Sequence, residues 1–294
     1  MVTLSSRRSS AHCYYLSLVI RTPFREPVPL NPPLSTVDAV ALAIENAAER
    51  PLLLLTDFDG TLCEFQADPA AVFLSTSRRT ALSTLARRPG LSIGIVSGRR
   101  VQDVRRRVAL DGPAYYAGLH GMEISGPDTS FQVPHLGARR ELLQTIARAI
   151  AAAVATLPGI FLENKDLSIA LHVRTAAPQD REYAEYVFWA LATPSLEAGT
   201  IRLQRGESVF ELLPDIQWNK GDAVRWIETD VQRRHGVTVQ LVYLGDDRTD
   251  EHAFEAVGNR GITVVVGPRP SRAVYRLQDP DAVERLLTRL VSGT

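Results

Sequence analysis

The feature that most constrains the fold is an alternation of short, wholly apolar runs with segments of helical periodicity. The clearest run, at 51–57, reads Pro-Leu-Leu-Leu-Leu-Thr-Asp and is apolar until it ends in an acid. Central strands of a parallel sheet have this composition, because helices bury both of their faces. The alternation therefore predicts an α/β fold whose core is a Rossmann-like, doubly wound parallel sheet.

The same periodicities predict the elements of this core. The predicted strands are 51–57, 91–96, 114–118, 239–244 and 262–266. The predicted helices are 37–48, 75–88, 101–108, 221–234 and 249–257.

The middle third has a different pattern, helix-strand-strand, which occurs twice. Its predicted helices are 138–157 and 178–192, and its predicted strands are 160–163, 168–173, 200–204 and 208–213. We interpret it as an inserted α+β cap domain, two helices on a small antiparallel sheet. The predicted organisation is a flexible N-terminal tail at 1–35, a core at 36–125 and 215–294, and the insertion at 126–214.

The tail is rich in arginine and serine, holds five prolines between Pro23 and Pro33, and has Glu26 as its one acid. We expect a mobile segment or an over-long predicted start. A transit peptide is the alternative.

Composition argues against several classes of function. The chain has 294 residues and a formal net charge of zero, so no overall basic field favours nucleic acid. No apolar run reaches 18 residues, so we expect no membrane-spanning helix. Cys13 and Cys63 have neither metal-site spacing nor a disulfide pattern, which is typical of a reducing compartment, and we expect a cytoplasmic protein.

Two carboxylates follow the first core strand. Asp57 ends the strand, and Asp59 faces the same side if the chain stays extended, while Phe58 points away. Ligands of open α/β sheets bind at the carboxyl ends of strands. One carboxylate can act there as a nucleophile and the other as a general acid and base. An acidic turn or helix cap is the alternative.

A second acidic group, GDDRTDE at 245–251, follows another apolar strand. Carboxylates so close together are unfavourable without a cation, and Mg²⁺ prefers such oxygen ligands. Asp246, with either Asp247 or Asp250, is the expected ligand set. A helix-capping role is the alternative; it explains Asp250 and Glu251, which would begin the next helix, better than Asp246 and Asp247.

Two further motifs suit phosphate. Ser97 and Arg99 follow a strand, where a hydroxyl and backbone N–H groups can hold phosphate oxygens, although a plain helix cap has the same composition. Lys220 follows Asn219 at a predicted helix start and can balance negative charge. Only Lys165 and Lys220 among the 33 basic residues are lysine, and both lie in candidate motifs.

In this order the motifs resemble the haloacid dehalogenase superfamily of phosphohydrolases, and in finer detail the trehalose-6-phosphate phosphatases. The resemblance covers about residues 52–266. The motifs that carry it are DFDGTL at 57–62, SGR at 97–99, GLHG at 118–121 with Glu123, ENK at 163–165, HVR at 172–174, Glu211, KG at 220–221 and GDDRTDE at 245–251.

The resemblance implies a Mg²⁺-dependent hydrolysis of trehalose 6-phosphate through an aspartyl-phosphate, the last step of trehalose biosynthesis. Asp57 would be the nucleophile and Asp59 the acid and base, while Ser97 and Lys220 would bind phosphate. The implied metal ligands are Asp57, the Asp59 backbone carbonyl and Asp246, supported by Asp247 and Asp250.

The resemblance also assigns substrate contacts, with the insertion acting as a mobile cap. The assigned residues are Thr61, Arg99, His120, Gly121, Glu163, Lys165, Arg174 and Glu211. A functional link to a trehalose-6-phosphate synthase is a further implication.

Three alternatives remain open. The first is the same chemistry on another sugar phosphate, such as sucrose phosphate or mannosylglycerate phosphate. The second is a catalytically silent domain that binds sugar phosphate, and the third is a phosphomutase with similar acids.

Overall fold

The computed structural model describes residues 31–47, 50–66, 71–164, 166–206 and 208–293. The strands in these ranges are β1 (Leu52–Thr56), β2 (Leu91–Val96), β3 (Tyr115–Gly118), β4 (Glu123–Ser125), β5 (Ser130–Gln132), β6 (Phe161–Asn164), β7 (Ile169–His172), β8 (Ile201–Gly206), β9 (Val209–Pro214), β10 (Gln240–Gly245), β11 (Gly261–Val266) and β12 (Tyr275–Leu277). The helices in these ranges are α1 (Val37–Asn46), α2 (Thr76–Ala86), α3 (Val101–Val108), α4 (Leu136–Val154), α5 (Pro178–Glu197), α6 (Lys220–His235), α7 (Glu251–Val257) and α8 (Pro280–Ser292).

The larger sheet has eight strands in the order β12-β11-β10-β1-β2-β3-β4-β5. Its first six strands are parallel, and β4 and β5 are antiparallel. The predicted α/β class with a parallel core sheet is therefore confirmed. Among the described residues, no helix is long and apolar enough to cross a bilayer.

Strand β1 lies at the centre of this sheet, and helices cover both of its faces. Leu52 and Leu54 pack in one hydrophobic cluster with α1, α2, α3 and α8. Leu53 and Leu55 pack in a second cluster with α6 and α7. Because neighbouring residues of a strand point to opposite faces, burial of both faces explains the four consecutive leucines at 52–55.

The inserted domain has a four-stranded antiparallel sheet in the order β6-β7-β9-β8. Helices α4 and α5 cover one face of it, where Phe188, Leu171 and Leu212 are buried. The predicted pair of helices on a small antiparallel sheet is confirmed. Alternate residues of these strands point away from the helices.

The larger sheet extends beyond the predicted start of the insertion at residue 126. Strand β4 pairs with β3, and β5 pairs with β4, so the core continues through Gln132. Antiparallel neighbours need no helical crossover, and strands of three residues have too little periodicity to be recognised. Strand β12 and helix α8 are likewise elements that the sequence analysis did not predict.

The end of the predicted tail packs against the core. The Ser35 backbone N–H donates to the Arg276 carbonyl on β12 (2.8 Å), and the buried Arg276 guanidinium donates to the Pro32 carbonyl (2.9 Å). A buried guanidinium needs such acceptors. Residues 1–30 of the predicted tail lie outside the described residues.

We expect Phe188→Ala to lower the free energy of unfolding of the inserted domain by about 3–5 kcal/mol, because it leaves a cavity in a packed core. Phe188 is fully buried on α5, whereas Tyr186 on the same helix is 70% exposed. Tyr186→Ala is therefore the matched control, with an expected effect within about 0.5 kcal/mol. Urea denaturation measures both, and equal effects of the two variants would contradict this packing.

Candidate active site

The candidate site lies at one edge of the larger sheet, where neighbouring parallel strands end. Asp57 follows β1, Asp246 follows β10 and Ser97 follows β2. The Asp57 backbone N–H donates to the carbonyl of Leu244 on β10 (2.9 Å), which joins the first two strand ends. The strand order thus brings three motifs together that are far apart in the sequence.

Lys220 enters this edge from the start of α6. Asn219 and Asp222 form a reciprocal capping box that fixes where the helix begins. The Lys220 ammonium is 2% exposed and lies 3.1 Å from Asp57 Oδ1 and 2.7 Å from Asp250 Oδ1. The second predicted lysine, Lys165, lies outside the described residues.

Asp250 is fully buried and held by a network. Its Oδ1 accepts from the Tyr243 hydroxyl (2.8 Å), and its Oδ2 accepts from the backbone N–H groups of Asp246 (3.1 Å) and Asp247 (2.9 Å). No sequence pattern pointed to Tyr243, because a tyrosine within an apolar strand is indistinguishable from a core residue.

Asp57, Asp246 and Asp250 form a cluster that can hold a metal. One carboxylate oxygen from each lies within 4.8 Å of the others. The Thr61 hydroxyl donates to Asp246 Oδ1 (2.9 Å) and orients it. Gly60 has φ +83°, and a Cβ there would stand 2.1 Å from Asp246 Oδ2, so only glycine fits. A set of oxygen donors alone suits a hard divalent cation.

Asp247 lies outside this cluster and caps the turn Arg248–Asp250 instead. Its carboxylate is exposed and accepts from the Arg248 backbone N–H (2.6 Å). Glu251 contacts the Arg269 guanidinium and accepts from the Ser271 hydroxyl (2.7 Å). Capping therefore accounts for part of this acidic motif, because Asp247 and Asp250 form a reciprocal capping box and Glu251 lies in the first turn of α7.

Burial and neighbouring negative charge disfavour the ionised forms of Asp57 and Asp246 in this cluster. Burial raises the pKa of Asp57, and nearby Asp250 and Asp246 add to this against the opposing charge of Lys220. Burial also raises the pKa of Asp246 to about 6, although the Thr61 hydrogen bond opposes it. Burial would lower the pKa of Lys220, but Asp57 and Asp250 outweigh it and raise that pKa. A divalent cation would favour the ionised carboxylates.

Asp59 has a different partner from Asp57. The Arg99 guanidinium donates to both carboxylate oxygens of Asp59, through Nε (2.7 Å) and Nη2 (2.7 Å). Arg99 also donates to Asp103 (3.3 Å). Phe58 between the two acids is fully buried in the core. Arg99, which the resemblance assigns to substrate, is thus engaged with the candidate acid and base.

Ser97 is 1% exposed at the end of β2, and its Oγ accepts from the Arg99 backbone N–H (3.1 Å). The cap of the following helix α3 comes from elsewhere: Glu123 accepts from the Val101 backbone N–H (2.7 Å). Ser97 therefore does not act as the cap of α3.

His120 and Gly121 form a left-handed corner after β3, with φ values of 57° and 96°. The Trp218 indole N–H donates to the Gly121 carbonyl (2.8 Å) and fixes this corner. The His120 ring lies against Gly98, and burial there and the charge of Lys220 lower the pKa of His120, although the residue as a whole is classed among the exposed ones. His120 and Lys220 both line the cavity described next.

A cavity of about 500 Å³ separates the core site from the inserted domain. Its lining includes Lys220 and His120 from the core and Glu211 from β9, whose carboxylate accepts from the Ser168 hydroxyl (2.8 Å). Glu163, which contacts His172 (3.2 Å), and the exposed Arg174 are not part of this lining as the structure describes it. Glu211 therefore lines the cavity beside the core site, and the register of β6, β7 and β9 places Glu163 in the same row of the small sheet as Glu211.

Comparisons with known proteins support a family assignment. A family model described as trehalose-phosphatase matches residues 55–281. The trehalose-phosphate phosphatase of Mycobacterium tuberculosis is 35% identical over 260 residues, which is 86% of this chain and 64% of that protein. That of Mycobacterium marinum is 36% identical over 244 residues, 80% of this chain and 60% of that protein. The chain thus spans less than two thirds of these relatives.

A solved structure has the same fold. The Aspergillus fumigatus trehalose-6-phosphate phosphatase superposes with a TM-score of 0.63 at 22% identity, covering 90% of this chain and all of that one.

We expect Asp246→Asn to stabilise the metal-free protein by about 1–2 kcal/mol at pH 7.5. Folding raises the pKa of this carboxyl from 3.8 to about 6. Its negative charge therefore opposes folding fully above pH 6. Far below pH 4 the carboxyl is protonated in both states, and this effect disappears. The gain should fall by about half at pH 5. Thermal unfolding in EDTA measures it.

Added MgCl₂ provides the control for this prediction. It should stabilise the unsubstituted protein more than the variant, because the asparagine removes one anionic ligand. A variant that is less stable than the unsubstituted protein in EDTA at pH 7.5 would contradict the proposed cost of burying this charge.

Proposed function

Because the chain belongs to the trehalose-phosphatase family, we propose that it hydrolyses trehalose 6-phosphate to trehalose and inorganic phosphate. The observation that carries the proposal is the buried contact of Lys220 with Asp57, next to Asp246 and Asp250. This arrangement contains a nucleophile, a charge neutraliser and a cation site, which phosphoryl transfer requires.

Asp57 is the proposed nucleophile. Its carboxylate oxygen attacks phosphorus, a phosphorus–oxygen bond forms, and the bond from phosphorus to the sugar oxygen breaks. The product is an aspartyl-phosphate and a free sugar hydroxyl. Lys220, held 3.1 Å from Asp57 and 2.7 Å from Asp250, offsets the negative charge of carboxylate and phosphate.

Asp59 is the proposed acid and base. It gives a proton to the leaving sugar oxygen and later takes one from the water that attacks the aspartyl-phosphate. Arg99 holds both Asp59 oxygens and so fixes the position of the carboxyl group. Ser97 lies at the neighbouring strand end, where its hydroxyl can reach a phosphate oxygen.

The proposed cofactor is Mg²⁺, which when bound supplies positive charge to the phosphoryl oxygens. Asp57 and Asp246 are the proposed side-chain ligands, together with the Asp59 backbone carbonyl. Asp250 supports the site by accepting a hydrogen bond from Lys220. Asp247 instead caps the turn Arg248–Asp250.

The inserted domain is proposed to bind the sugar. Its cavity of about 500 Å³ lies within the usual range of about 300–1,000 Å³ for small-molecule sites. Closing this domain on the core would exclude water before transfer. A role for Lys165, a link to a trehalose-6-phosphate synthase and a cytoplasmic location all remain predictions.

The test of the proposal is phosphate release from a panel of sugar phosphates, with Mg²⁺ and with EDTA. We expect kcat/KM to be highest for trehalose 6-phosphate, and EDTA to abolish turnover reversibly. A preference for sucrose phosphate or mannosylglycerate phosphate would replace the substrate and keep the mechanism. No release from any of these substrates would favour a silent binding domain, and retained phosphoenzyme would favour a mutase.

We expect Asp57→Asn to lower kcat by at least about 10³-fold, because the amide oxygen is a poor nucleophile. The unfolding temperature should not fall, because the substitution removes a buried like charge. Glu255→Gln, an exposed acid on α7, is the control and should retain full activity. Turnover by the Asp57 variant close to that of the control would refute the nucleophile assignment.

A further inference from the structure

Two side chains of strand β8 line the cavity, and neither of them has been assigned a role. Ile201 and Leu203 pack with the core of the inserted domain. Arg205 also points to the helical side, where its guanidinium lies 5.2 Å from the Trp189 ring centroid. Alternation along a strand therefore directs Arg202 and Gln204 to the opposite face, and both line the cavity.

The register of the small sheet places these two side chains beside Glu211. Gln204 is the direct neighbour of Glu211 on β9, and Arg202 is the neighbour of Leu213. Directly opposed side chains in an antiparallel pair have Cβ atoms about 4.5–5.5 Å apart. Gln204 and Glu211 therefore form one row on the open face, and Arg202 stands in the next row toward the core.

Arg202 is exposed to the cavity without a protein partner. In the part of the chain that the structure describes, no hydrogen bond, ion pair or ring contact involves its guanidinium. Lys220, Arg99 and Arg276, by contrast, all have carboxylate or carbonyl acceptors. An arginine that faces a cavity with its donors unused is available to a ligand.

The mixture of donors and acceptors on this face suits sugar hydroxyls. A hydroxyl group both donates and accepts, so it can donate to Glu211 and accept from Arg202 or Gln204. A phosphate group only accepts at neutral pH, and the Glu211 carboxylate would repel it. The phosphate end of the substrate has its own cation, Lys220, at the core side of the same cavity.

We propose that Arg202, assisted by Gln204, binds hydroxyl groups of the sugar and selects a disaccharide phosphate over smaller phosphate esters. The inference rests on the proposed phosphatase function and adds a specificity-determining residue to it. Arg202 acts on binding of the sugar and not on the transfer of phosphate. Loss of a hydrogen bond to a charged group in such a site weakens recognition by about 10–100-fold.

The experiment compares Arg202→Met with Arg205→Met, the same substitution on the opposite face of the same strand. For Arg202→Met we expect kcat/KM for trehalose 6-phosphate to fall about 10–100-fold, while that for p-nitrophenyl phosphate changes less than about threefold. Arg202→Lys should recover part of the loss, and Arg205→Met should leave the ratio of the two substrates unchanged. Thermal unfolding confirms that both variants fold.

Two product inhibitors locate the contact. Trehalose should inhibit the Arg202 variant at least about tenfold more weakly than the unsubstituted enzyme, whereas inorganic phosphate should inhibit both equally. Weaker inhibition by phosphate instead would place the guanidinium on the phosphate and overturn the inference. Equal loss on both substrates, or no loss on either, would also overturn it.

The failure of the proposed function itself gives a different result. In that case the unsubstituted enzyme does not hydrolyse trehalose 6-phosphate. Direct titration of trehalose by calorimetry then still tests Arg202, and the same affinity in both proteins refutes its role.

Discussion

The contact of one buried ammonium group with two buried carboxylates organises this molecule. Lys220, Asp57 and Asp250 come from α6, the end of β1 and the turn after β10, and together they are almost completely withdrawn from water. Removing Lys220 would leave two buried carboxylates without their cation, a change that costs about 3–5 kcal/mol. The helix start, the strand ends and the turn must therefore all lie where this contact needs them.

The surrounding groups show how the fold holds this cluster of carboxylates in place, although the cluster does not favour the stability of the protein. Tyr243 and two backbone N–H groups orient Asp250, and Thr61 orients Asp246. These hydrogen bonds hold the carboxylates close together at a site where burial, with the neighbouring charge of Asp250, raises the pKa of Asp246. A site prepared in this way need not reorganise when charge develops during a reaction.

The sequence predicted the regular parts of the fold well, for a physical reason. Strands β1, β2, β10 and β11 are buried on both faces, and such strands have a composition that few other segments share. Strands β4, β5 and β12 have three residues each, too few for a period to be recognised. The insertion was recognisable because its helix-strand-strand pattern differs from that of the core, but its start was not.

The candidate site divides in the same way between sequence and structure. The sequence by itself determined which residue types lie at strand ends and helix starts, because those positions depend on local periodicity and capping, and so it identified Asp57, Asp246 and Lys220. Only the tertiary structure decided the partners: Asp59 with Arg99, Asp250 with Tyr243, and Asp247 with the turn. Which charged side chains pair depends on strand order and on packing between segments far apart in the chain. Neither can be predicted from local sequence patterns.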